Sequence, residues 1–243
     1  MIPFTHLHVG TSGWAYPAWK PAFYPEKLPQ KKFLQHYASR LNAVEVNYSF
    51  RHVVAEKTLQ NWIAETPPSF MFCMKAHQAI THIRRLRNAD EVLQRFLSSI
   101  QPAAAAGKLG PALFQLPPDM KADPALLDDF LARLPRTLRA AFEFRHESWF
   151  ADEVYRVLSK HDAALCFAES EKLVTPIVIT ANFSYYRFRK PQYSAEERRN
   201  IAERLTCGAR AKRDVFAFFK HEETPESALY AEELLKSAEA AAA

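Results

Sequence analysis

The chain alternates between short apolar runs and longer segments in which apolar residues recur with helical spacing. The short runs are rich in β-branched and aromatic residues, which is typical of buried strands. They predict eight strands, at residues 6–11, 43–48, 70–75, 112–116, 140–145, 164–168, 184–188 and 215–219. Strands that alternate with helices in this way are typical of βα units and a parallel sheet.

The segments between the strands predict the helices. Asp123 followed by Pro124, and Ser194 followed by acidic residues, are typical helix starts. The predicted helices are 30–41, 55–65, 90–106, 123–134, 150–161, 194–205 and 225–240. The segment 171–182 contains Pro176 and β-branched residues without a helical pattern. We therefore expect an α/β fold, a single TIM-barrel-like (β/α)8 domain over residues 1–243, irregular between strands six and seven.

Composition agrees with one cytoplasmic domain. Apolar residues make up 48% of the chain and 18 residues are Phe, which is ample for a core. No apolar run reaches the length of a membrane span, and residues 1–10 lack the layout of a signal peptide. Three cysteines far apart in sequence predict reduced thiols, with Cys73 and Cys166 in the core.

The charge of the chain mildly favours anionic partners, because the net charge is +5 and the pI about 9.1. The densest basic clusters lie at residues 82–87 and 209–213. Each is explained either as solvated surface or as a phosphate contact.

Charged side chains recur near the predicted C-terminal ends of the strands, where β/α barrels place their sites. Glu45 and Asn47 share one face of strand two, and Glu143 and Arg145 share one face of strand five. The other strands end near Lys75, His77, Gln115, Arg187 and Lys220. Two interpretations stay open. The set is a ligand site, or it is a buried neutral network in which Glu143 pairs with Lys75 and Glu45 with Arg187.

The first βα connection, residues 10–25, is long and aromatic. It contributes Ser12, Trp14 and Tyr16 to the candidate ligand site, as a wall or lid. The alternative is a hydrophobic plug that closes the barrel. Gly10 and Gly13 could also offer backbone N–H groups to an anion.

His146 and Trp149 follow Arg145 closely. A carboxylate, a guanidinium and an imidazole at one strand end can hold an anion and move a proton, so Glu45, Glu143 and His146 are the catalytic candidates. His146 and His77 can equally be ordinary half-buried histidines. The chain has no HExxH motif or thiolate pair, so we predict no metal site, and no cofactor can be named.

Five segments together resemble the YecE-like family, a domain of unknown function numbered seventy-two. They are residues 10–14, 23–25, 44–47, 110–118 and 142–146, the last of which is followed by Trp149. The resemblance implies a TIM-barrel-like fold in prokaryotic cytoplasmic proteins and no established activity. Many members follow the strand-seven Arg with His-Gly, where this chain has Arg187-Phe188-Arg189, and many end strand eight on Asn, where this chain has Lys220-His221. Both departures alter the rim of the predicted site.

Our leading hypothesis is an enzyme, a hydrolase or isomerase of a small anionic compound that is phosphorylated or carboxylated, with Glu45 or Glu143 moving a proton. Glycoside hydrolysis is a variant, although strands two and five are expected to hold the two carboxylates far apart. The first alternative is a nucleic-acid-binding protein that uses the basic surface and the aromatic loop. The second is a barrel that binds a metabolite without turnover.

Overall fold

Eight parallel strands form the centre of the fold in the computed structural model, which describes residues 6–169, 173–220 and 223–240, without the side chains of 239 and 240. The strands are β1 (Leu7–Ser12), β2 (Ala43–Val46), β3 (Met71–Met74), β4 (Ala112–Gln115), β5 (Ala140–Glu143), β6 (Ala164–Ala168), β7 (Phe183–Phe188) and β8 (Asp214–Phe219). Every predicted strand is confirmed, with ends within two residues of the prediction.

The strand order is β3-β2-β1-β8-β7-β6-β5-β4, and each neighbouring pair is parallel. Isolated bridges join β3 to β4, between Phe72 and Leu109 and between Lys75 and Leu113. The N–H of Ala76 donates to Leu113 O at 2.8 Å across the same seam. The sheet is therefore a nearly closed barrel, and the C-terminal ends of all the strands meet at one mouth.

Helices surround the barrel in the predicted alternation. They are α1 (Phe33–Ala38), α2 (Glu56–Ala64), α3 (Asp90–Ala105), α4 (Pro124–Ala132), α5 (Asp152–Lys160), α6 (Ala195–Arg210) and α7 (Glu226–Ala240). Both predicted caps form, since Asp123 accepts from Leu126 N–H and Ser194 makes a capping box with Glu197. None of the helices in the described ranges is long and apolar enough to cross a membrane.

Helix α6 runs five residues beyond its predicted end at residue 205. The extension includes Gly208, a poor helix former, at a point where α6 packs on β8. A side chain at Gly208 would approach the Val215 side chain of β8 to 3.0 Å. Tertiary packing therefore outweighs local propensity here.

The connection from β6 to β7 departs from the regular pattern, as predicted. Its described part, residues 173–182, contains no helix, and residues 170–172 lie outside the described ranges. In this connection the side chain of Thr180, rather than another strand, forms hydrogen bonds with backbone groups at the start of β6. Its Oγ1 accepts from Leu165 N–H at 2.9 Å and donates to Ala163 O at 2.7 Å.

Two separate cores follow from the alternation of side chains along the strands. One cluster fills the barrel interior and includes Cys73, Leu113, Cys166, Tyr185 and Phe218. The larger cluster lies between the strands and the helices. The predicted burial of Cys73 and Cys166 is confirmed, and the charged residues of the mouth continue the inward-facing rows above the interior cluster.

Candidate functional site

Arg187 of β7 lies at the centre of the mouth between two carboxylates. Its Nη2 donates to Glu45 Oε1 of β2 at 2.7 Å, and its Nη1 donates to Glu143 Oε2 of β5. The three side chains are at most 2% exposed. Alternation along the strands turns all three toward the axis, so this buried triad joins strands that do not pair with one another.

Glu45 is almost fully satisfied by hydrogen bonds. Oε1 also accepts from Ser12 Oγ at 2.7 Å, and Oε2 accepts from Tyr185 Oη at 2.8 Å. Burial opposes ionisation, but the charge of Arg187 and the Ser12 hydrogen bond outweigh it and lower the pKa of Glu45. Glu45 is therefore a permanent anion.

Glu143 accepts four hydrogen bonds, which uses the full capacity of a carboxylate. Oε1 accepts from Arg145 Nε and Arg189 Nη2, each at 3.0 Å. Oε2 accepts from Gln115 Nε2 at 2.8 Å and from Arg187. Burial alone would raise the pKa of Glu143, but the three guanidinium groups, Arg187 foremost, lower it far below its usual value.

This geometry corrects two expectations from the sequence. Glu45 and Glu143 are not far apart, because one guanidinium reaches both. Glu143 is not paired directly with Lys75 either, since Gln115 lies between them and bonds to each. The Glu45–Arg187 pair is found as expected. Both carboxylates are held ionised, so neither fits the general acid of a glycosidase, and their role in proton transfer stays a prediction.

Lys75 lies directly after β3 and is 8% exposed. Nζ donates to Gln115 Oε1 at 3.0 Å and lies 4.1 Å from the centre of the Phe50 ring. Ser49 Oγ holds the backbone, at 2.7 Å from Lys75 O and 2.8 Å from Val46 O. Burial, together with repulsion by Arg187, lowers the pKa of Lys75 to about 7, despite the attraction of Glu45 and Glu143.

Arg145 differs from Arg187 in its exposure. Its side chain is 32% exposed, and within the described ranges only Nε has a hydrogen-bond partner. Its two Nη groups therefore extend from Glu143 with free donors. Arg189 shares the same carboxylate oxygen and is 19% exposed.

Four residues of the mouth were not predicted as site residues: Phe50, His82, Tyr185 and Arg189. His82 lies edge-on to Phe50, with ring centres 5.0 Å apart. Burial and the charges of Lys75 and Arg145 lower its pKa. Side chains two positions apart on a strand share a face. The inward position of Arg187 therefore indicates that Tyr185 and Arg189 face inward as well. Phe50 and His82 lie on turns after β2 and β3, where strand periodicity gives no signal.

Asn47 directly follows β2, and its Oδ1 is buried without a hydrogen-bond partner in the described structure. Lys220 directly follows β8, and its N–H donates to Phe188 O at 2.8 Å. The neighbouring His221 lies outside the described residues.

Trp149 does not belong to the mouth, which corrects its predicted role as a ligand contact. It is fully buried, its Nε1 donates to Met120 O at 2.7 Å, and its ring stacks on Phe144 at 4.5 Å. The 3-10 turn Glu147–Trp149 directs the indole into the core between strands and helices.

The two candidate histidines have local roles. His146 is half-buried and caps the turn Glu147–Trp149, with Nδ1 accepting from Ser148 N–H at 3.1 Å. Nδ1 of His77 accepts from Ala79 N–H at 3.2 Å. His77 lines a cavity of about 230 Å³ next to α3. Their catalytic and binding roles stay predictions.

The buried aromatic residues of the first connection pack against α1 in the outer core, and the two interpretations of the connection as a lid or as a plug of the barrel stay predictions. Trp19, Phe23 and Tyr24 are at most 1% exposed, and Tyr24 stacks on Phe33 of α1 at 4.0 Å. Trp14 and Tyr16 are half-buried. Trp14 packs edge-on against Trp62, with ring centres 4.9 Å apart, and Tyr16 Oη donates to Ser12 O at 2.8 Å.

The glycines of this connection have structural roles. Gly13 N–H donates to Glu45 O at 2.9 Å, so it does not face an anion. Its φ of 95° is a conformation that favours glycine. A Cβ at Gly10 would lie 1.8 Å from Ala43 O, so glycine allows β1 and β2 to approach.

Arg145, Arg187 and Arg189 form ion pairs with Glu45 or Glu143, and Lys75 lies beside them. The partly exposed side chain of Arg145 carries positive charge to the surface. Within the described ranges, no three His, Cys, Asp or Glu side chains are grouped to hold a metal ion. The arrangement can bind an anion and offers one amine that titrates near neutrality.

Comparisons with known proteins agree on one family. Residues 8–243 match the family model described as "Protein of unknown function DUF72". UPF0759 protein YunF of Bacillus subtilis is 30% identical over 155 residues, which are 61% of this chain and 54% of that protein. UPF0759 protein YecE of Escherichia coli K12 is 29% identical over 147 residues, 60% of this chain and 50% of that protein. The chain thus spans about half the length of these curated relatives.

Among solved structures, the crystal structure of a DUF72 family protein from Thermotoga maritima is similar over nearly its whole length. The TM-score is 0.84 with 26% sequence identity, and the alignment covers 96% of this chain and 99% of that chain.

Proposed function

The chain belongs to the DUF72 family, which confirms the resemblance seen in its sequence, and from its own geometry we propose an enzyme that acts on a small anionic substrate. The substrate carries a carboxylate or a phosphate, which binds at the barrel mouth. The reaction class is hydrolysis or isomerisation.

The observation that carries the proposal is the way Glu143 holds Arg145. The carboxylate binds Nε at 3.0 Å and leaves both Nη groups without a partner in the described structure. A guanidinium fixed at Nε presents its Nη donors in a defined direction, which suits the two oxygens of a carboxylate or phosphate. Arg189, fixed by the same oxygen, adds a second positive charge.

The saturated carboxylates support the same assignment. Glu143 and Glu45 have nearly all their acceptor positions occupied, so they orient cations and have little capacity left for substrate. Lys75 is the mouth residue whose pKa lies near neutrality. A group of that kind beside an anion site is typical of proton transfer or covalent catalysis.

The first experiment is isothermal titration calorimetry with inorganic phosphate and with pyruvate at constant ionic strength. We expect saturable binding at one site, weakened about tenfold or more in Arg145→Ala, since a charge-assisted hydrogen bond contributes about 1.5–3 kcal/mol. Arg156→Ala is the matched control, because Arg156 is an exposed arginine on α5 and should leave affinity unchanged.

Equal affinities in wild type and Arg145→Ala would overturn the assignment of the anion site. Turnover is tested separately, by following phosphorylated sugars and keto acids with NMR in the presence of the protein. Binding without any product would favour the metabolite-binding alternative. Stabilisation by oligonucleotides alone, lost on adding salt, would favour nucleic-acid binding.

A further inference from the structure

Two buried lysines of this barrel have opposite surroundings. Lys108 is 6% exposed, and its Nζ lies 2.8 Å from Ile63 O, 2.8 Å from Thr66 O and 3.0 Å from Thr66 Oγ1. Three acceptors match the three donors of an ammonium group, so Lys108 is a structural cation. Lys75 is buried to the same degree but has a single acceptor, Gln115 Oε1, among the residues described.

The surroundings of Lys75 suit a neutral amine. Gln115 is fixed by its own donation to Glu143, so its Oε1 faces Lys75 and takes one N–H. The Phe50 ring, 4.1 Å from Nζ, attracts an ammonium group, but a single neutral amide acceptor satisfies only one of its three donors. Among the described residues no carboxylate bonds directly to Nζ, so the neutral amine keeps a lone pair that can add to a carbonyl.

Burial and charge both act on Lys75. Burial contributes most to disfavouring its ammonium form, Arg187 and Arg145 add repulsion, and the attraction of Glu45 and Glu143, which are bound to guanidinium groups, offsets this only in part. The resulting pKa of about 7 means that a large share of Lys75 is unprotonated at neutral pH. An ordinary lysine with a pKa of about 10.4 is unprotonated to about one part in a thousand.

We propose that Lys75 is a nucleophile that forms a Schiff base with an anionic aldehyde or ketone whose carboxylate or phosphate binds Arg145. This rests on the proposed function and narrows its substrate to carbonyl compounds. Both groups lie at the same mouth, since Lys75 is joined to Arg145 through Gln115 and Glu143. The desolvated amine is the form that adds to a carbonyl.

The chemistry balances without a further reactant. The Lys75 lone pair forms a bond to the carbonyl carbon, the C=O π electrons move to oxygen, and an amine proton transfers to that oxygen to give a carbinolamine. The second amine proton stays on nitrogen. Uptake of one proton from solvent then lets the oxygen leave as water, which gives the protonated Schiff base.

The test is reductive trapping. The wild-type protein is incubated with pyruvate and sodium cyanoborohydride, which reduces the Schiff base to a stable secondary amine, and the modified lysine is located by peptide mass spectrometry. We expect one adduct on Lys75, formed about tenfold or more faster than on any other lysine, in line with its larger unprotonated fraction. Lys108 is the matched internal control and should stay unmodified.

Three variants separate the contributions. Lys75→Arg should give no adduct at the mouth. Arg145→Ala should slow trapping by pyruvate about tenfold and should slow trapping by acetone, which has no anionic group, much less, because losing Arg145 only removes its repulsion of the Lys75 ammonium. Arg156→Ala should behave as wild type with both. Circular dichroism checks that each variant is folded, and the site selectivity measured in the wild type does not depend on them.

The outcomes distinguish this inference from the proposed function. Adducts spread over exposed lysines, with Lys75 no faster than the rest, would overturn the nucleophile. If calorimetry still shows pyruvate binding that depends on Arg145, the anion site is retained and only the nucleophilic role of Lys75 is rejected. Selective trapping of Lys75 by pyruvate and acetone alike, with no effect of Arg145→Ala, would overturn the anion site and keep a reactive lysine.

Discussion

Arg187 donates to Glu45 at 2.7 Å across the barrel, although the two residues are 142 positions apart in sequence and lie on strands that do not pair. The same guanidinium binds Glu143, so one cation neutralises part of two buried carboxylates. Buried ion pairs cost much desolvation, and they are stable only when every charge is matched and hydrogen-bonded. This triad is therefore the element on which the rest of the mouth depends.

We expect Arg187→Met to destabilise the protein by about 3–5 kcal/mol, because it leaves two buried carboxylates without their shared cation. Arg187→Lys should also be costly, since one ammonium group cannot contact both partners as the guanidinium fork does. Urea unfolding followed by circular dichroism measures both. Arg156→Met on the surface should change the free energy of unfolding by less than about 0.5 kcal/mol. A loss below about 1 kcal/mol in Arg187→Met would contradict the central role of Arg187.

Lys108→Met should destabilise the protein by about 1–3 kcal/mol, because it removes the donor to Ile63 O and Thr66 O at the C-terminal end of α2. Lys75→Met removes an amine that has a single hydrogen-bond acceptor. The loss of unfolding free energy at neutral pH should therefore be smaller than for Lys108→Met. Thermal unfolding of the two variants at the same pH makes the comparison. The reverse order would show that Lys75 has structural partners equivalent to those of Lys108.

The stability of the protein should rise with pH above 7 because of Lys75. The folded pKa of Lys75, about 7, lies below the ordinary lysine pKa of 10.5, so between these values the unfolded chain binds a proton that the folded protein has released. The free energy of unfolding then increases with pH, by up to about 1.4 kcal/mol per unit. Below pH 7 both states are protonated and the slope vanishes.

The change is measured as the difference between wild type and Lys75→Met at pH 7, 8 and 9 by urea unfolding, which cancels the titration of other groups. The free energy of unfolding of wild type should increase relative to that of Lys75→Met as the pH rises. A difference that is constant over this range would mean that the pKa of Lys75 is not lowered in the folded protein.

Strand alternation predicted most of the candidate site. It placed Glu45 and Glu143 on inward faces, and strand ends marked Gln115 and Arg187; all four are buried and joined to one another by hydrogen bonds, because side-chain direction along a strand follows from local geometry. It could not predict the pairing. Whether Arg187 reaches one carboxylate or two depends on side-chain length across the barrel, which is a tertiary property.

Residues beyond the strand ends were harder to place. His146 and Trp149 follow β5 closely, but a 3-10 turn that His146 caps places Trp149 in the core between strands and helices. Phe50 and His82 were missed for the opposite reason, since turns after β2 and β3 bring them to Lys75. Turn geometry is set by hydrogen bonds such as those of Ser49, which the sequence pattern does not show.

Trp149 should matter for stability alone. Trp149→Phe keeps an aromatic ring beside Phe144 but removes the donor to Met120 O, and we expect a loss of about 1–3 kcal/mol. The affinity for phosphate, measured by calorimetry on the folded variant, should equal that of wild type. A tenfold weaker affinity at unchanged stability would restore Trp149 to the ligand site.

The three cysteines should react in two classes. Cys73 and Cys166 lie in the barrel interior, and burial raises the pKa of both thiols, while Cys207 on α6 is exposed. Since the thiolate is the reactive form, Ellman's reagent should modify one thiol rapidly in the native protein and all three in guanidinium chloride. Cys207→Ala should remove the fast phase and leave only slow reaction, whose rate reports opening of the barrel. Two fast thiols in the native wild type would show that reagent enters the barrel interior, and this would contradict the tight packing of its inward-facing side chains.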